Sequence, residues 1–206
     1  MRELLVIRHG QSQHHLDGRT GGWTDSSLTD LGRAQAGATG AFLRDHPPFP
    51  LSAIVSSDLA RASETAAIIG AAVGLDVELA PALRELNNGV AAGLTVEEAR
   101  RLETPFQEPA LDWAPFPKGE SWRELYSRVS LCLSTLRASH RDRLVLVSHT
   151  NAIICAINWV LGLDSDRQLR DLMYEIRPCS LTHLRIGGDG SRTVVRLNDT
   201  AHLSSR

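Results

Sequence analysis

Three short apolar runs that each break off into polar and ionisable residues constrain this chain more than any other feature. Residues 4–7 run into Arg8-His9-Gly10, residues 53–55 into Ser56-Ser57-Asp58, and residues 144–147 into Ser148-His149. Runs this short and this uniformly apolar predict strands buried on both faces. A helical pattern follows each one. Residues 30–44 have Thr29 as N-cap and Pro47-Pro48 just beyond their end. Residues 59–72 place Ala62, Ala66 and Ile69 at helical spacing, and Gly74 stops them. Residues 151–161 are apolar almost all round, as in a buried helix. Strands alternating with helices predict an α/β fold of three layers, a mainly parallel sheet with helices on both faces.

The remaining segments fit around that frame. Residues 11–27, with three glycines and many polar side chains, predict a loop, and residues 77–79 a brief strand. Thr95 to Glu98 and Ser121 to Glu124 both have the form of a capping box, so each predicts a helix start. The second helix is long, with Trp122, Leu125, Tyr126, Val129, Cys132 and Leu136 on one face. Residues 103–118, rich in Pro, Phe and Trp, predict an irregular flap within a wider 87–118 region. Residues 179–186 and 193–197, separated by Gly187-Gly188-Asp189-Gly190, predict a closing antiparallel hairpin. The polar tail at 200–206 is expected to fray. With no repeat and no linker, residues 1–206 are expected to form one domain.

Composition narrows the class. A net charge of −2 argues against nucleic acid or an anionic membrane as partner. No apolar run approaches the roughly 18 residues of a membrane span, and the first strand leaves no room for a signal peptide. Cys132, Cys155 and Cys179 are odd in number, far apart and set among apolar residues. They read as small buried hydrophobes in a reducing compartment, so a cytoplasmic location is expected.

In a sheet of this kind the ligand crevice lies outside the carboxyl ends of the strands. Arg8-His9 and Ser148-His149 sit at two such ends, and Arg61 lies one short turn past a third. Two arginines and two histidines on one edge of a slightly acidic chain suit a phosphate dianion. Arginine grips phosphate through two parallel hydrogen bonds. Gly10 would let the backbone approach the anion, and helix N-termini after Ser57 and His149 would add N–H donors. An imidazole kept neutral by nearby cations is a competent nucleophile.

These pieces resemble the histidine phosphatase superfamily, which includes bisphosphate-dependent phosphoglycerate mutases and many small phosphatases. The matching residues are Arg8-His9-Gly10; Gly22 with Asp25, Leu28-Thr29, Gly32 and Gln35-Ala36; the stretch from Ser56 to Ala62 with Thr65-Ala66; Leu83-Arg84-Glu85 with Gly89; Gly119-Glu120-Ser121; and Val147-Ser148-His149. They span nearly the whole chain in order. The resemblance implies that His9 attacks phosphorus and becomes a phosphohistidine. It implies that Arg8, Arg61 and His149 hold the non-bridging oxygens, and that Glu85 protonates the leaving alcohol and then activates water. From the residues alone, Asp58 and Glu120 reach the same edge and compete with Glu85 for that last role.

The chain also departs from the family. His15 stands where members often have a phosphate-contacting Asn, Ala91-Ala92 where many have Trp-Glu, and Thr150-Asn151 where Gly often follows the second histidine. The Thr150 N–H can replace the glycine's. His15, Gly22 and Trp23 are further candidates for substrate contact. Trp113, Phe106 and Phe116 flank the crevice as loop packing or as pocket lining. The adjacent His14 and His15, taken as strand-like, would point opposite ways, and no HExxH or CxxC accompanies them, so no metal site is expected. Mutases of the family carry a longer insert between the acid and the second histidine. The short flap here therefore implies a phosphatase of small phosphorylated metabolites that needs no cofactor. Mutase-type transfer and a catalytically dead phosphate-binding protein are the alternatives. The resemblance also allows a homodimer, which no apolar stripe in the sequence demands.

Overall fold

The computed structural model describes residues 1–139 and 141–204. In chain order the elements are β1 (Glu3–Arg8), α1 (Gln13–Leu16), α2 (Asp30–Asp45), β2 (Ala53–Ser56), α3 (Ala60–Val73), β3 (Val77–Leu79), α4 (Val96–Arg100), α5 (Trp122–Ala138), β4 (Arg143–Ser148), α6 (Thr150–Leu161), α7 (Asp166–Asp171), β5 (Leu181–Ile186) and β6 (Arg192–Asp199). The six strands form one sheet in the order β3-β2-β4-β1-β5-β6. Its first four strands run parallel, and β5 and β6 close it as an antiparallel hairpin.

The apolar runs follow from burial on both faces. Alternate side chains of a strand point to opposite sides. Leu4, Val6, Leu144 and Leu146 pack with α5 and α6, and Leu5, Ile7, Val145 and Val147 pack with α2 and α3. Each such side chain, nearly inaccessible to solvent, is worth roughly 1.5–3 kcal/mol of burial. Local signals set the helix ends. The Thr29 hydroxyl accepts the Gly32 N–H at 3.0 Å to start α2, a reciprocal Ser121–Glu124 box starts α5, and Gly74 in the left-handed region (φ 72°) ends α3.

Strand order places the crevice. The chain leaves β1 towards β2 on one side and leaves β4 towards β5 on the other, although β1 and β4 are neighbours. Connections that diverge in this way open a gap at the carboxyl ends. The register puts Arg8 opposite Ser148 and Ser56 opposite Val147, so the three polar strand ends lie level.

Four expectations change. Residues 11–27 contain a helical turn, α1, whose start at Ser12 is braced by side chains rather than by an apolar face. The α7 helix was not foreseen, although Ser165 and Gln168 form a capping box at its start. The first hairpin strand starts at Leu181, after Cys179 bends the chain at φ 54°, and the second is longer than predicted, Arg192–Asp199. The segment Ala201–Leu203 of the predicted tail is a 3-10 turn docked on α2, where His202 Nε2 meets Thr39 Oγ1 at 3.0 Å and its ring lies 5.3 Å from that of Phe42. Residues 205–206 of the predicted tail lie outside the described residues.

Candidate active site

His9 emerges from β1 nearly closed off from solvent, with 3% of its surface exposed. Its Nδ1 lies 2.7 Å from the Gly10 carbonyl oxygen, which can only accept, so Nδ1 carries the proton and Nε2 the lone pair. The Arg61 Nε–H donates to that lone pair at 3.2 Å. Burial, and then the charges of His149, Arg61 and Arg8, hold the His9 pKa well below 6.5, so the ring stays neutral.

The two guanidiniums are aimed by backbone carbonyls. Arg61 donates from Nη1 to Thr24 at 2.9 Å and from Nη2 to Gly22 at 2.7 Å. Arg8 donates from Nη1 to Ile176 at 2.7 Å, and its Nη2 meets His15 Nε2 at 3.0 Å. Neither pairs with a carboxylate among the described residues. Burial is the main cause that lowers both, Arg61 to about 10, and both remain charged at neutral pH.

His149 caps α6, and its ring centroid lies 5.0 Å from that of His9. The Ser57 hydroxyl sits 2.9 Å from His149 Nε2, so an O–H donated there puts the ring proton on Nδ1. His149 Nδ1 and Arg8 Nε are both buried and without a hydrogen-bond partner among the described residues. Orphaned buried donors cost about 1–3 kcal/mol each, and two beside the His9 ring fit an incoming anion. Thr150 opens α6, so its N–H has no intrahelical acceptor.

Glu85 is fixed from several sides. Ser148 Oγ holds the Leu83 carbonyl at 2.7 Å, which draws the 81–83 turn against the end of β4. Trp23 Nε1 and Arg128 Nη2 donate to the Glu85 carbonyl at 2.8 and 3.3 Å. Its carboxylate accepts the Leu86 N–H at 2.8 Å and the Asn151 N–H at 3.2 Å. Burial nevertheless pushes its pKa up. The rival acids are engaged elsewhere: Asp58 takes Arg84 at 2.7 Å, and Glu120 takes Arg128 at 2.7 Å. Of the three carboxylates, Glu85 alone lacks a guanidinium partner.

The structure thus brings Arg8, His9, Arg61, His149 and Glu85 together, with His15 beside Arg8. Gly22 serves through its carbonyl, and at φ 55° a Cβ there would strike Asn88 at 2.2 Å. Trp23 lies under Arg84, whose guanidinium carbon is 4.6 Å from the ring centroid. Phe106 and Trp113 pack edge-on at 5.3 Å within the flap.

Gly10 has a packing role as well, because a Cβ would meet the Gly32 carbonyl oxygen of α2 at 2.5 Å. Two sequence expectations need correction. His14 and His15 share a helical turn instead of alternating, and their ring centroids are 4.0 Å apart. The second N–H of α6, from Asn151, serves Glu85. Ser57, Asn88 and Asn151 went unassigned as supporting residues. Ser57 lay within a matched motif, whereas only the fold could reveal the other two.

Comparisons with known proteins identify the family. The model of the histidine phosphatase superfamily (branch 1) matches residues 4–200. A protein named probable phosphoglycerate mutase GpmB from Photorhabdus laumondii is 33% identical over 190 residues, covering 89% of this chain and 85% of its own. A protein of the same name from Escherichia fergusonii matches to the same extent. The mycobacterial glucosyl-3-phosphoglycerate phosphatase solved with VO3 superposes with a TM-score of 0.78 at 29% identity, over 97% of this chain and 100% of that one. An Entamoeba histolytica phosphoserine phosphatase, 24% identical with a TM-score of 0.78, covers 99% of this chain and 100% of its own and shares the fold. A chain with these matches and this ordered set of motifs belongs to the histidine phosphatase superfamily.

Proposed function

We propose that this protein hydrolyses small phosphate monoesters through a covalent phosphohistidine on His9. The observation that carries this is the His9 Nε2 lone pair, set by the Nδ1–Gly10 contact and ringed by Arg8, Arg61 and His149. The Arg61 Nε–H donates to that lone pair. An ester phosphoryl group placed between them takes the donor for its own oxygen and frees Nε2 for in-line attack. The P–O bond to the alcohol breaks as the N–P bond forms, and Glu85 gives its proton to the leaving oxygen. The Glu85 carboxylate then takes a proton from water, whose oxygen bonds to phosphorus as the N–P bond breaks and returns His9 to its neutral form. Arg8, Arg61, His149 and the Thr150 N–H carry the charge on the non-bridging oxygens, and Gly22 and Trp23 border the substrate.

Positive charge at phosphorus comes here from guanidiniums, so turnover should survive a strong chelator unchanged. The phosphatase neighbour and the short 103–118 segment favour water as acceptor. The GpmB relatives favour a second reading, transfer between phosphoglycerates. Both sets of names put phosphoglycerate derivatives first in a substrate screen. Free Cys132, Cys155 and Cys179 suit the reducing cytoplasm, and among the described residues no helix is long and apolar enough to cross a membrane. Rapid quenching with a radiolabelled ester tests the mechanism. An acid-labile label on His9, absent in His9→Ala, is expected; turnover with no label at any time would overturn it. Supplying 3-phosphoglycerate with its bisphosphate separates mutase from phosphatase.

A further inference from the structure

His15 touches the phosphate cradle but is more than a substitute contact. Arg8 Nη2 can only donate, so the His15 Nε2 it meets at 3.0 Å must carry a lone pair. The proton then sits on Nδ1, which faces Ser12 Oγ at 3.3 Å. The Ser12 hydroxyl in turn points at Nδ1 of buried His14, 3.0 Å away. The Ser12 N–H is also placed to donate to His15 Nδ1 at 3.3 Å, the return bond of the α1 capping box. Of the two competing donors the charged one at 3.0 Å outranks the neutral one at 3.3 Å, so the Ser12 N–H contact is the one given up. A relay results: Ser12 O–H to His14, His15 Nδ1–H to Ser12 Oγ, Arg8 N–H to His15 Nε2.

His15 therefore occupies one prong of the Arg8 fork as an acceptor, where a phosphate oxygen would also bind. A phosphate oxygen entering between them replaces an acceptor by an anion and turns two nitrogens towards it. Arg8 arrives with its proton, whereas His15 Nε2 has none. Resting on the reading of this site as a phosphate cradle, we propose that anion binding draws a solvent proton onto His15 Nε2, which changes this ring from a plug on Arg8 into a cationic phosphate donor. Nδ1 keeps its proton, because Ser12 Oγ still accepts it.

The charged and titratable groups facing this ring are Arg8 and His9 at the end of β1, His14 in its own turn and Arg61 of α3. Burial, and then Arg8, lower the His15 pKa, and His14 is held near 3, so both rings are neutral at neutral pH. A bound dianion acts in the opposite direction on His15, which remains partly open to solvent. The sign follows: affinity is greatest at low pH and falls as pH rises through the His15 pKa of the complex. An asparagine at this position has no such linkage.

Sulfate is the probe, because it stays a dianion throughout the neutral range and contributes no proton of its own. Calorimetry in buffers of different ionisation enthalpy counts protons taken up per sulfate bound. The wild type is expected to take up more than His15→Asn, and its sulfate affinity to fall by up to about tenfold per pH unit where His15 titrates. Uptake at His9 or Glu85 persists in both and cancels in the comparison. Equal uptake and equal pH slopes would overturn the proposal while leaving the cradle intact. Sulfate that binds neither protein at any pH would overturn the cradle as well. Nitrogen NMR on the unaltered protein gives a second reading: His15 Nε2 should move from the lone-pair range to the protonated range on adding sulfate, and a stationary signal in the loaded protein refutes it.

Discussion

Arginines hold both the catalytic cradle and the 103–118 segment, and they do so in opposite ways. Arg61 is buried, with 1% exposed, and donates to two backbone carbonyls and an imidazole. Carbonyls orient its fork without cancelling its charge. Arg123 is half-exposed and gives its fork to two carboxylates, Asp112 of the segment at 2.6 Å and Asp166 of α7 at 2.9 Å. Its charge is neutralised, and its work is to tie two pieces of surface together. An arginine's acceptor type thus separates an available cation from a consumed one.

That contrast can be broken by experiment, beginning inside the cradle. His9→Ala removes the nucleophile and should reduce phosphate release to background in a steady-state assay. Glu85→Gln comes next, with a loss of about 10²–10⁴ in kcat. Its pH profile sharpens the assignment. Glu85 must be protonated to act as acid, and its raised pKa keeps it so to higher pH than an ordinary carboxyl. Wild-type kcat should therefore fall as pH rises through that pKa, a limb that Glu85→Gln lacks. The acid limb, where His9 becomes protonated, should lie well below 6.5. Arg61→Lys keeps the charge but loses the fork, and a loss of about 10²–10³ in kcat/KM is expected. Arg123→Ala should lower the melting temperature only slightly, and by less in high salt. If Arg123→Ala impaired turnover as severely as Arg61→Lys, acceptor type would not distinguish the two arginines.

The sequence was most legible where one local rule acts alone. Both-face burial made β1 and β4 readable as apolar runs, and the caps of α2 and α5 lie within four residues of the helices they start. Long-range partners were not legible. Asp58 and Glu120 rivalled Glu85 until the fold paired them with Arg84, 26 residues away from Asp58, and with Arg128, eight residues away from Glu120. Short helices such as α1 and α7 carry too few periodic positions to rise above loop composition. The docked turn at 201–203 depends on Thr39, 163 residues from His202, and no pattern in the tail announces that contact.

Gly10 and Gly32 abut so closely that a methyl on the first would strike a carbonyl oxygen at 2.5 Å, and one on the second would strike the Gln11 carbonyl oxygen at 2.0 Å. A saturation library scored by growth would report these glycines as intolerant as His9 itself, through packing alone. Scoring cellular abundance in parallel would part the two groups: alanine at either glycine empties the cell of protein, whereas alanine at position 9 leaves an abundant, silent one.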